Sequence, residues 1–204
     1  MENRQSHLFL SLLVVLLAVA CKPKSFDTKE DLYGYLKNPD HGYHLQKSVN
    51  GIDYALTYRP TDLMVSQFMD KDVDPEKVDQ LREQYSDYLY FNLGISANGK
   101  ELLTQKVQNR SEYGAMVNQL AFGMAEKITL TNDTRDTLQL LDYSYPRMYG
   151  MGSSTELLLV YRNSTDVSTG DHLYLSIKDL GFGTGEVTFK LATENIKKQP
   201  QLKF

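Results

Sequence analysis

The sequence YHLQKSVNGIDYALTY, residues 43–58, carries the clearest fold signal in the chain. The pair Asn50-Gly51 separates two alternating runs, and both residue types tolerate the positive φ angles that a two-residue hairpin turn needs. Apolar and aromatic side chains share one face of the second run: Ile52, Tyr54, Leu56 and Tyr58. Polar side chains occupy the opposite face, because successive residues of a strand point to opposite sides: Asp53, Thr57 and Arg59. The pattern predicts a β-hairpin with one face in the core and one in water.

Four other segments have apolar residues at helical spacing. Asp27 and Glu30 have the spacing of a capping box at the start of the first segment, whose apolar face carries Leu32, Tyr35 and Leu36. In the third segment a proline follows Asp74, and proline is favoured at the first position of a helix. The four predicted helices begin at Asp27, Thr61, Asp74 and Ser111.

The rest of the chain has the pattern of strands. Tyr88–Ser96 is apolar on both faces, which is typical of a central strand that is covered on both sides. After Gly123, five alternating segments follow one another with polar turns between them, which predicts an antiparallel meander. These segments are residues 127–131, 138–145, 156–161, 172–177 and 186–191. Together the patterns predict an α+β fold, a single domain with a mostly antiparallel sheet of about six to eight strands and three or four helices.

Composition places the chain among folded globular proteins. Hydrophobic residues make up 41% of it and charged residues 24%, which are values of an ordered domain rather than of a disordered one. The formal net charge is −4. Binding to nucleic acid depends on a positive surface that faces the phosphates, and this chain has no excess of positive charge. We therefore exclude nucleic acid as a partner.

The N-terminus has the pattern of an export signal. Arg4 precedes an almost uniformly apolar run from Leu8 to Ala20, which is too short to span a bilayer core of ~30 Å. The run ends in Ala18-Val19-Ala20-Cys21. Cys21 is the only cysteine of the chain, so it has no intramolecular disulfide partner. Residues 1–20 are predicted to be a signal peptide that is removed on export.

This ending resembles the lipobox of bacterial lipoproteins. The resemblance implies that a diacylglyceryl group is attached to Cys21 and that the signal is cleaved before it. Ala18 departs from the family pattern, in which leucine is most frequent at this position. The alternative is an ordinary cleavable signal that is followed by a chance cysteine. On the lipoprotein interpretation, residues 21–26 are a short lipidated tether and residues 27–204 form the single α+β domain.

The chain also resembles, in composition, the small lipoproteins of Bacteroidetes. Lys22 is not the aspartate that resembles an inner-membrane retention signal, and residues 22–25 lack the acidic cluster that resembles the surface-export signal of that phylum. The resemblance implies a protein that is held in the outer membrane by its lipid at Cys21 and faces the periplasm. Its expected partners are the membrane and a protein or a glycan.

No motif of the sequence indicates catalysis, a cofactor or a metal. The patterns Gly-x-Ser-x-Gly, Ser-x-x-Lys and His-Glu-x-x-His do not occur. His41 and His44 lie on either side of a turn glycine rather than on one helix face, so a metal site is not predicted. The glycine-rich segment 181–185 precedes a strand and not a helix, which favours a hairpin turn over a phosphate loop. We predict no catalytic residue and no cofactor.

The segment 146–155, PRMYGMGSST, is the candidate partner-binding loop. It carries residue types that are enriched at binding surfaces: Arg147, Met148, Tyr149 and Met151. The alternative is a loop that folds back over the core and exposes none of them. The sequence thus predicts a membrane-anchored envelope lipoprotein with a non-enzymatic binding or structural role. The alternative function is a lipid-anchored hydrolase or ligand-capturing protein whose site is assembled from residues distant in sequence.

Overall fold

The hairpin predicted for residues 43–58 forms and lies at one edge of the larger of two antiparallel sheets. The structure, a computed structural model, describes residues 23–69, 74–163 and 170–204. Asn50 and Gly51 have φ angles of 52° and 74°, the left-handed values of a type I′ turn. The four side chains that were predicted to face the core from the second strand are all buried.

The described residues form five α-helices and twelve strands, several of them short. The helices are α1 (Lys29–Lys37), α2 (Thr61–Val65), α3 (Pro75–Ser86), α4 (Arg110–Asn118) and α5 (Thr193–Lys197). The strands are β1 (Ser25–Phe26), β2 (His44–Val49), β3 (Ile52–Arg59), β4 (Tyr88–Ala97), β5 (Lys100–Glu101), β6 (Ile128–Asn132), β7 (Thr137–Leu138), β8 (Leu140–Ser144), β9 (Thr155–Arg162), β10 (His172–Ile177), β11 (Val187–Ala192) and β12 (Gln201–Leu202).

The strands are distributed over two main sheets. The larger sheet has the order β2-β3-β4-β9-β8, with β5 paired to β4, and the smaller sheet has the order β11-β10-β6-β7. All pairs in both sheets are antiparallel. A short parallel pair joins β1 to β12 and so brings the first and last described strands together. The predicted α+β class with mostly antiparallel sheets is confirmed.

One hydrophobic core contains the inward faces of both sheets. Alternate residues of β3, β4 and β9 contribute to it from the larger sheet, and alternate residues of β6, β10 and β11 from the smaller one. Leu93, Leu159 and Leu175 are completely buried in this core. Because both sheets bury their apolar faces in the same core, the described residues form a single domain, as predicted.

The predicted meander is wrong. The segment predicted as one strand, residues 138–145, belongs to two: β7 pairs with β6 in the smaller sheet, and β8 pairs with β9 in the larger. The chain later returns to the smaller sheet, where β10 pairs with β6. Apolar alternation indicates which face of a strand is buried, but it does not indicate which sheet the strand joins. The exchange between the sheets therefore has no local signal.

Helix positions agree with the predictions better than helix ends do. The N-cap of α1 is Thr28, whose hydroxyl accepts the Asp31 amide, and not Asp27. Thr61, which was predicted as a cap, is the first residue of α2, whereas Asp74 caps α3 as predicted. The stripe predicted from Ser111 is helical, but after α4 it continues as a π-helical turn (Gln119–Gly123) and a 3-10 turn (Met124–Glu126).

The outer face of the larger sheet is only partly covered. Near the start of β4, Tyr85 of α3 packs against Tyr90, with ring centroids 6.2 Å apart, and Tyr90 is buried. Further along β4 the outward positions are small or polar and line an open groove beside α1. Helix α1 inserts Leu32 and Leu36 into the core. Its opposite side is therefore left to border this groove.

Candidate functional site

The candidate binding loop, residues 146–155, exposes its tip. Met148, Tyr149 and Met151 are 42%, 73% and 79% exposed. Arg147 is half-buried, since its Nη2 donates to the Tyr113 hydroxyl at 2.9 Å and its guanidinium lies 4.8 Å from the centroid of the Tyr149 ring. The loop is not folded back over the core, so three of its four predicted contact side chains are open to solvent.

A buried carboxylate holds this loop in place. Glu101 is 1% exposed, and its Oε1 accepts the amides of Gly150 at 3.0 Å and of Gly152 at 2.8 Å. Charge-assisted bonds of this kind are what a buried carboxylate needs. Tyr149 has a φ of 54°, which is uncommon for a bulky residue. The two bonds to Glu101 thus hold the loop in a backbone conformation that is unfavourable for a tyrosine.

The last part of the same loop forms a wall of the groove on the larger sheet. Ser153 and Ser154 line the groove, and the Ser154 hydroxyl donates to Oε1 of Glu156 on β9. The carboxylate of Glu156 lies over Gly94 of β4, because a Cβ atom on Gly94 would be only 2.8 Å from Glu156 Oε1. The structure therefore joins the predicted loop to a site that the sequence did not reveal.

The groove has two parts, with volumes of about 520 Å³ and 820 Å³. Both parts are lined by Ala55, Gly94 and Glu156. These residues are in register on three neighbouring strands, with Ala55 opposite Gly94 and Gly94 opposite Glu156. A glycine in a central strand often marks a place where a ligand or another backbone approaches closely. The two small residues form the floor of the groove.

Helix α1 forms the second wall. Its solvent-facing residues Tyr33, Gly34 and Lys37 line the larger part of the groove. Arg59 connects this wall to the floor, since it donates from Nη2 to the Tyr33 hydroxyl and from Nη1 to Asn92 Oδ1, both at 3.4 Å. Arg59 Nε is buried and has no hydrogen-bond partner among the described residues. Arg59 is thus a positioning group between two lining residues.

His44 occupies the rim of the groove on the edge strand β2. Its Nδ1 is hydrogen-bonded to the Thr57 hydroxyl at 2.7 Å. Burial lowers the pKa of His44 below its ordinary value of 6.5, and the positive charge of Lys37 lowers it further. The imidazole is therefore neutral at pH 7 and offers a polar but uncharged contact to the groove.

Two titratable groups of the groove, His44 and Glu156, lie too far apart to act as a catalytic pair. His44 on β2 and Glu156 on β9 are separated by β3 and β4. Three strand spacings of ~4.8 Å put at least about 14 Å between their backbones, which is beyond hydrogen-bond reach. In the three described ranges, no three His, Cys, Asp or Glu side chains are grouped closely enough to hold a metal ion.

The glycine-rich segment 181–185 surrounds a carboxylate of the protein itself. The amides of Gly181, Phe182 and Gly183 donate to Asp179 at 3.0 to 3.1 Å. The bond from Phe182, with its neighbours, holds the pKa of Asp179 below its ordinary value. The segment connects the antiparallel pair β10 and β11, as the hairpin prediction requires. Its amides already have an internal anion as acceptor.

Two further residues singled out in the sequence, His41 and Cys21, are not among the described residues that line the groove. His41 stacks on Tyr35 with ring centroids 3.8 Å apart, so it is part of the packing around α1. Cys21, the predicted lipidation site, lies outside the described residues together with the predicted signal peptide. Among the helices that the structure does describe, none is long and apolar enough to cross a membrane.

Sequence reasoning missed the groove because its residues come from distant segments. Ala55, Gly94 and Glu156 are brought together only by the pairing of β3, β4 and β9. One local signal was present, the glycine inside the otherwise apolar strand around Gly94. None of the protein-family models, curated proteins or solved structures compared with the chain matches it. The geometry of the groove is therefore the basis for any functional conclusion.

Proposed function

We propose that this protein is a lipid-anchored, non-enzymatic binding protein of the bacterial envelope that captures a ligand in the groove of its larger sheet. The observation that carries the proposal is the groove itself. Side chains from four strands, one helix and one loop surround a floor of Ala55 and Gly94. Small-molecule sites are typically concave surfaces of this kind, with a few well-placed polar groups.

Binding is favoured over turnover by the spacing of the reactive groups. General acid–base catalysis needs its groups within hydrogen-bond reach of the same reacting atoms. At least about 14 Å separates the backbones of His44 and Glu156, by the strand spacing. The hydroxyl of Ser154 donates to Glu156 and has no imidazole beside it in the groove lining. These groups suit recognition of an extended ligand at several points.

The groove is tested by filling its floor. Ala55→Phe places a ring in the open space above β3, where Ala55 is half-buried. A thermal-shift screen of oligosaccharides, peptides and small acids on the purified full-length protein should give ligands that raise the wild-type melting temperature but not that of Ala55→Phe. Thr129→Phe, on the outward face of β6 in the smaller sheet, is the matched control and should keep the response. Ligands that stabilise wild type and Ala55→Phe equally would place the site elsewhere.

The anchor is proposed from the sequence of residues 8–21. If Cys21 carries the lipid, only Lys22 separates it from Pro23, the first described residue, so the domain lies close to the membrane surface. Cells fed with an alkyne fatty acid should label the wild-type protein and not Cys21→Ser. Label that persists on the serine variant contradicts lipidation at this residue.

The orientation is tested separately from the anchor. A domain that faces the periplasm from the outer membrane is protected from protease added to intact cells, and becomes sensitive after the outer membrane is permeabilised. Digestion in intact cells would instead place the domain on the cell surface, with the anchor proposal unaffected.

A protein partner for the loop tip is the second candidate, because the tip is held rigidly while Tyr149 and Met151 are exposed. A photo-crosslinking amino acid at position 149 should capture one defined envelope protein in cells. Position 122, where Phe122 is 80% exposed on the turn after α4, is the control. Equal capture at both positions would show that the tip has no specific partner.

A further inference from the structure

The side chains that line the groove are almost all hydrogen-bonding groups. Among the described residues that line it, the large apolar surfaces are the rings of Tyr33 and Tyr54, and Tyr54 is 2% exposed. Neutral polar side chains are the most numerous group in the rest of the lining: Gln46, Ser48, Thr57, Asn92, Ser96, Ser153 and Ser154. A wholly apolar ligand would leave these polar groups without partners. The lining therefore suits an occupant that carries hydrogen-bonding groups along its length and apolar faces between them.

The charge of the lining is close to balanced. Three carboxylates, Glu30, Asp53 and Glu156, are accompanied by two cations, the Lys37 ammonium and the Arg59 guanidinium that bonds to Tyr33 and Asn92. The Lys47 ammonium lies instead over the Phe189 ring of the smaller sheet. A polyanion would meet Glu156 at one end of the floor, where like charges repel. The balance favours a neutral ligand.

The floor admits a flat, extended molecule. Gln46, Ala55, Gly94 and Glu156 form one row across four strands. Three strand spacings make this row about 14 Å long. At one wall the ring of Tyr33 is 39% exposed, so it offers an apolar face beside a polar floor. At the far end of the row, the Glu156 carboxylate has lone pairs for hydroxyl donors beyond the one it receives from Ser154.

A peptide is less suited to this surface than a sugar chain. Peptides that bind sheets usually add a strand at an exposed edge or insert side chains into apolar pockets. The groove lies on the face of the sheet, and its floor consists of Ala55 and Gly94. A sugar ring has an apolar face of C–H groups and a rim of hydroxyls, and these match the Tyr33 ring and the polar floor.

We propose that the groove binds a neutral glycan chain that lies across the floor, with a sugar face against Tyr33 and ring hydroxyls donating to Glu156 and bonded to Asn92. The inference rests on the proposed function, that the groove is the ligand site, and names the ligand class. The bound glycan must contain several linked sugars, because one sugar ring does not extend from the α1 wall to β9.

The test measures binding of defined oligosaccharides to the full-length protein, purified in a detergent without a sugar head group. The neutral probes are tetrasaccharides of β-1,4-glucose, α-1,4-glucose, β-1,4-xylose, β-1,4-mannose and β-1,4-N-acetylglucosamine. A tetragalacturonate and an uncharged, capped tetra-alanine peptide are the anionic and peptide comparisons. We expect at least one neutral tetrasaccharide to bind with a Kd of about 1 mM or lower, and tetragalacturonate to bind at least about tenfold more weakly.

Two variants and a control assign the contacts. Glu156→Gln should weaken glycan binding by about tenfold or more, since it replaces a charged acceptor by a neutral one. Tyr33→Ala, on the exposed side of α1, should weaken binding while the helix is retained, because alanine is a strong helix former. Glu126→Gln, at an exposed position away from the groove lining, should leave the Kd unchanged.

The outcomes separate this inference from the proposed function. If no neutral tetrasaccharide binds below about 10 mM, the glycan assignment is overturned. If the peptide alone binds, and Ala55→Phe abolishes that binding, the groove remains the ligand site but its ligand is not a glycan. If a glycan binds equally well to Ala55→Phe, glycan recognition lies elsewhere on the protein and the groove assignment fails.

Discussion

Asp62 is expected to be the most sensitive charged position in the described chain. It is 4% exposed, and its two carboxylate oxygens accept Nε and Nη2 of Arg82, both at 2.8 Å. Oδ2 also accepts the amide of Leu202 at 2.8 Å, and Arg82 Nη2 donates to the Leu202 carbonyl at 3.0 Å. One carboxylate thus holds α2, α3 and the C-terminal strand β12 together.

The cost of Asp62→Ala follows from these contacts. Breaking one side of a buried ion pair costs about 3–5 kcal/mol. The Arg82 side chain is 36% exposed and regains water when its partner is lost, so we expect about 2–3 kcal/mol here. For a domain of this size, 1 kcal/mol lowers the melting temperature by about 2–4 °C, so the expected shift is roughly 5–10 °C.

The assay is thermal unfolding of the purified protein with Asp79→Ala as the matched control. Asp79 lies 3.9 Å from Arg82 and is 80% exposed, so its removal should cost about 0.5 kcal/mol or less. Hydrogen exchange adds a local measurement, because the Leu202 amide should lose protection in Asp62→Ala only. If the two variants melt within about 1 °C of each other, a difference below about 0.5 kcal/mol, the C-terminal strand is not held by this carboxylate.

Three further predictions concern the backbone and the groove. Gly51→Val should destabilise the protein by about 1–3 kcal/mol, and Gly99→Val by a similar amount, because both glycines have positive φ (74° and 67°). No described atom lies near the Cβ position of either glycine, so the cost is backbone strain and not a clash. Unfolding in denaturant measures both variants, and an unchanged midpoint for Gly51→Val would refute the turn argument. Gly114→Ala, inside α4 with open space around the added methyl, should stabilise the protein by about 0.5–1 kcal/mol, to be measured as a rise in melting temperature, and a decrease would contradict the helix geometry. The folded-state pKa of His44 lies below its ordinary value of 6.5, so the unfolded chain takes up a proton first and stability falls as the pH drops below 6.5. Wild type should therefore lose more stability than His44→Gln between pH 7.5 and pH 5.5. Equal losses in the two proteins would show that the imidazole is not desolvated.

The sequence determined those features that depend on a few neighbouring residues. The turn at Asn50-Gly51 forms because both residues accept positive φ, and β3 buries the predicted face because alternation matches the strand period. The start of α3 at Asp74-Pro75 follows from a side-chain cap and a pre-set φ. The exposed tip at Tyr149 was one of two alternatives, and the choice between them depended on Glu101, a residue outside the loop.

The tertiary structure decided which strands share a sheet and where a ligand can bind. Residues 138–144 divide between two sheets, since Leu138 pairs with β6 and residues 140–144 pair with β9. Both sheets pack on one core, so these pairings depend on how strands distant in sequence are arranged. The groove exists because Ala55, Gly94 and Glu156 come into register across three strands. Apart from the glycine inside β4, these residues are common types for their own segments. Their combination is a property of long-range pairing, for which local propensity and alternation carry no information.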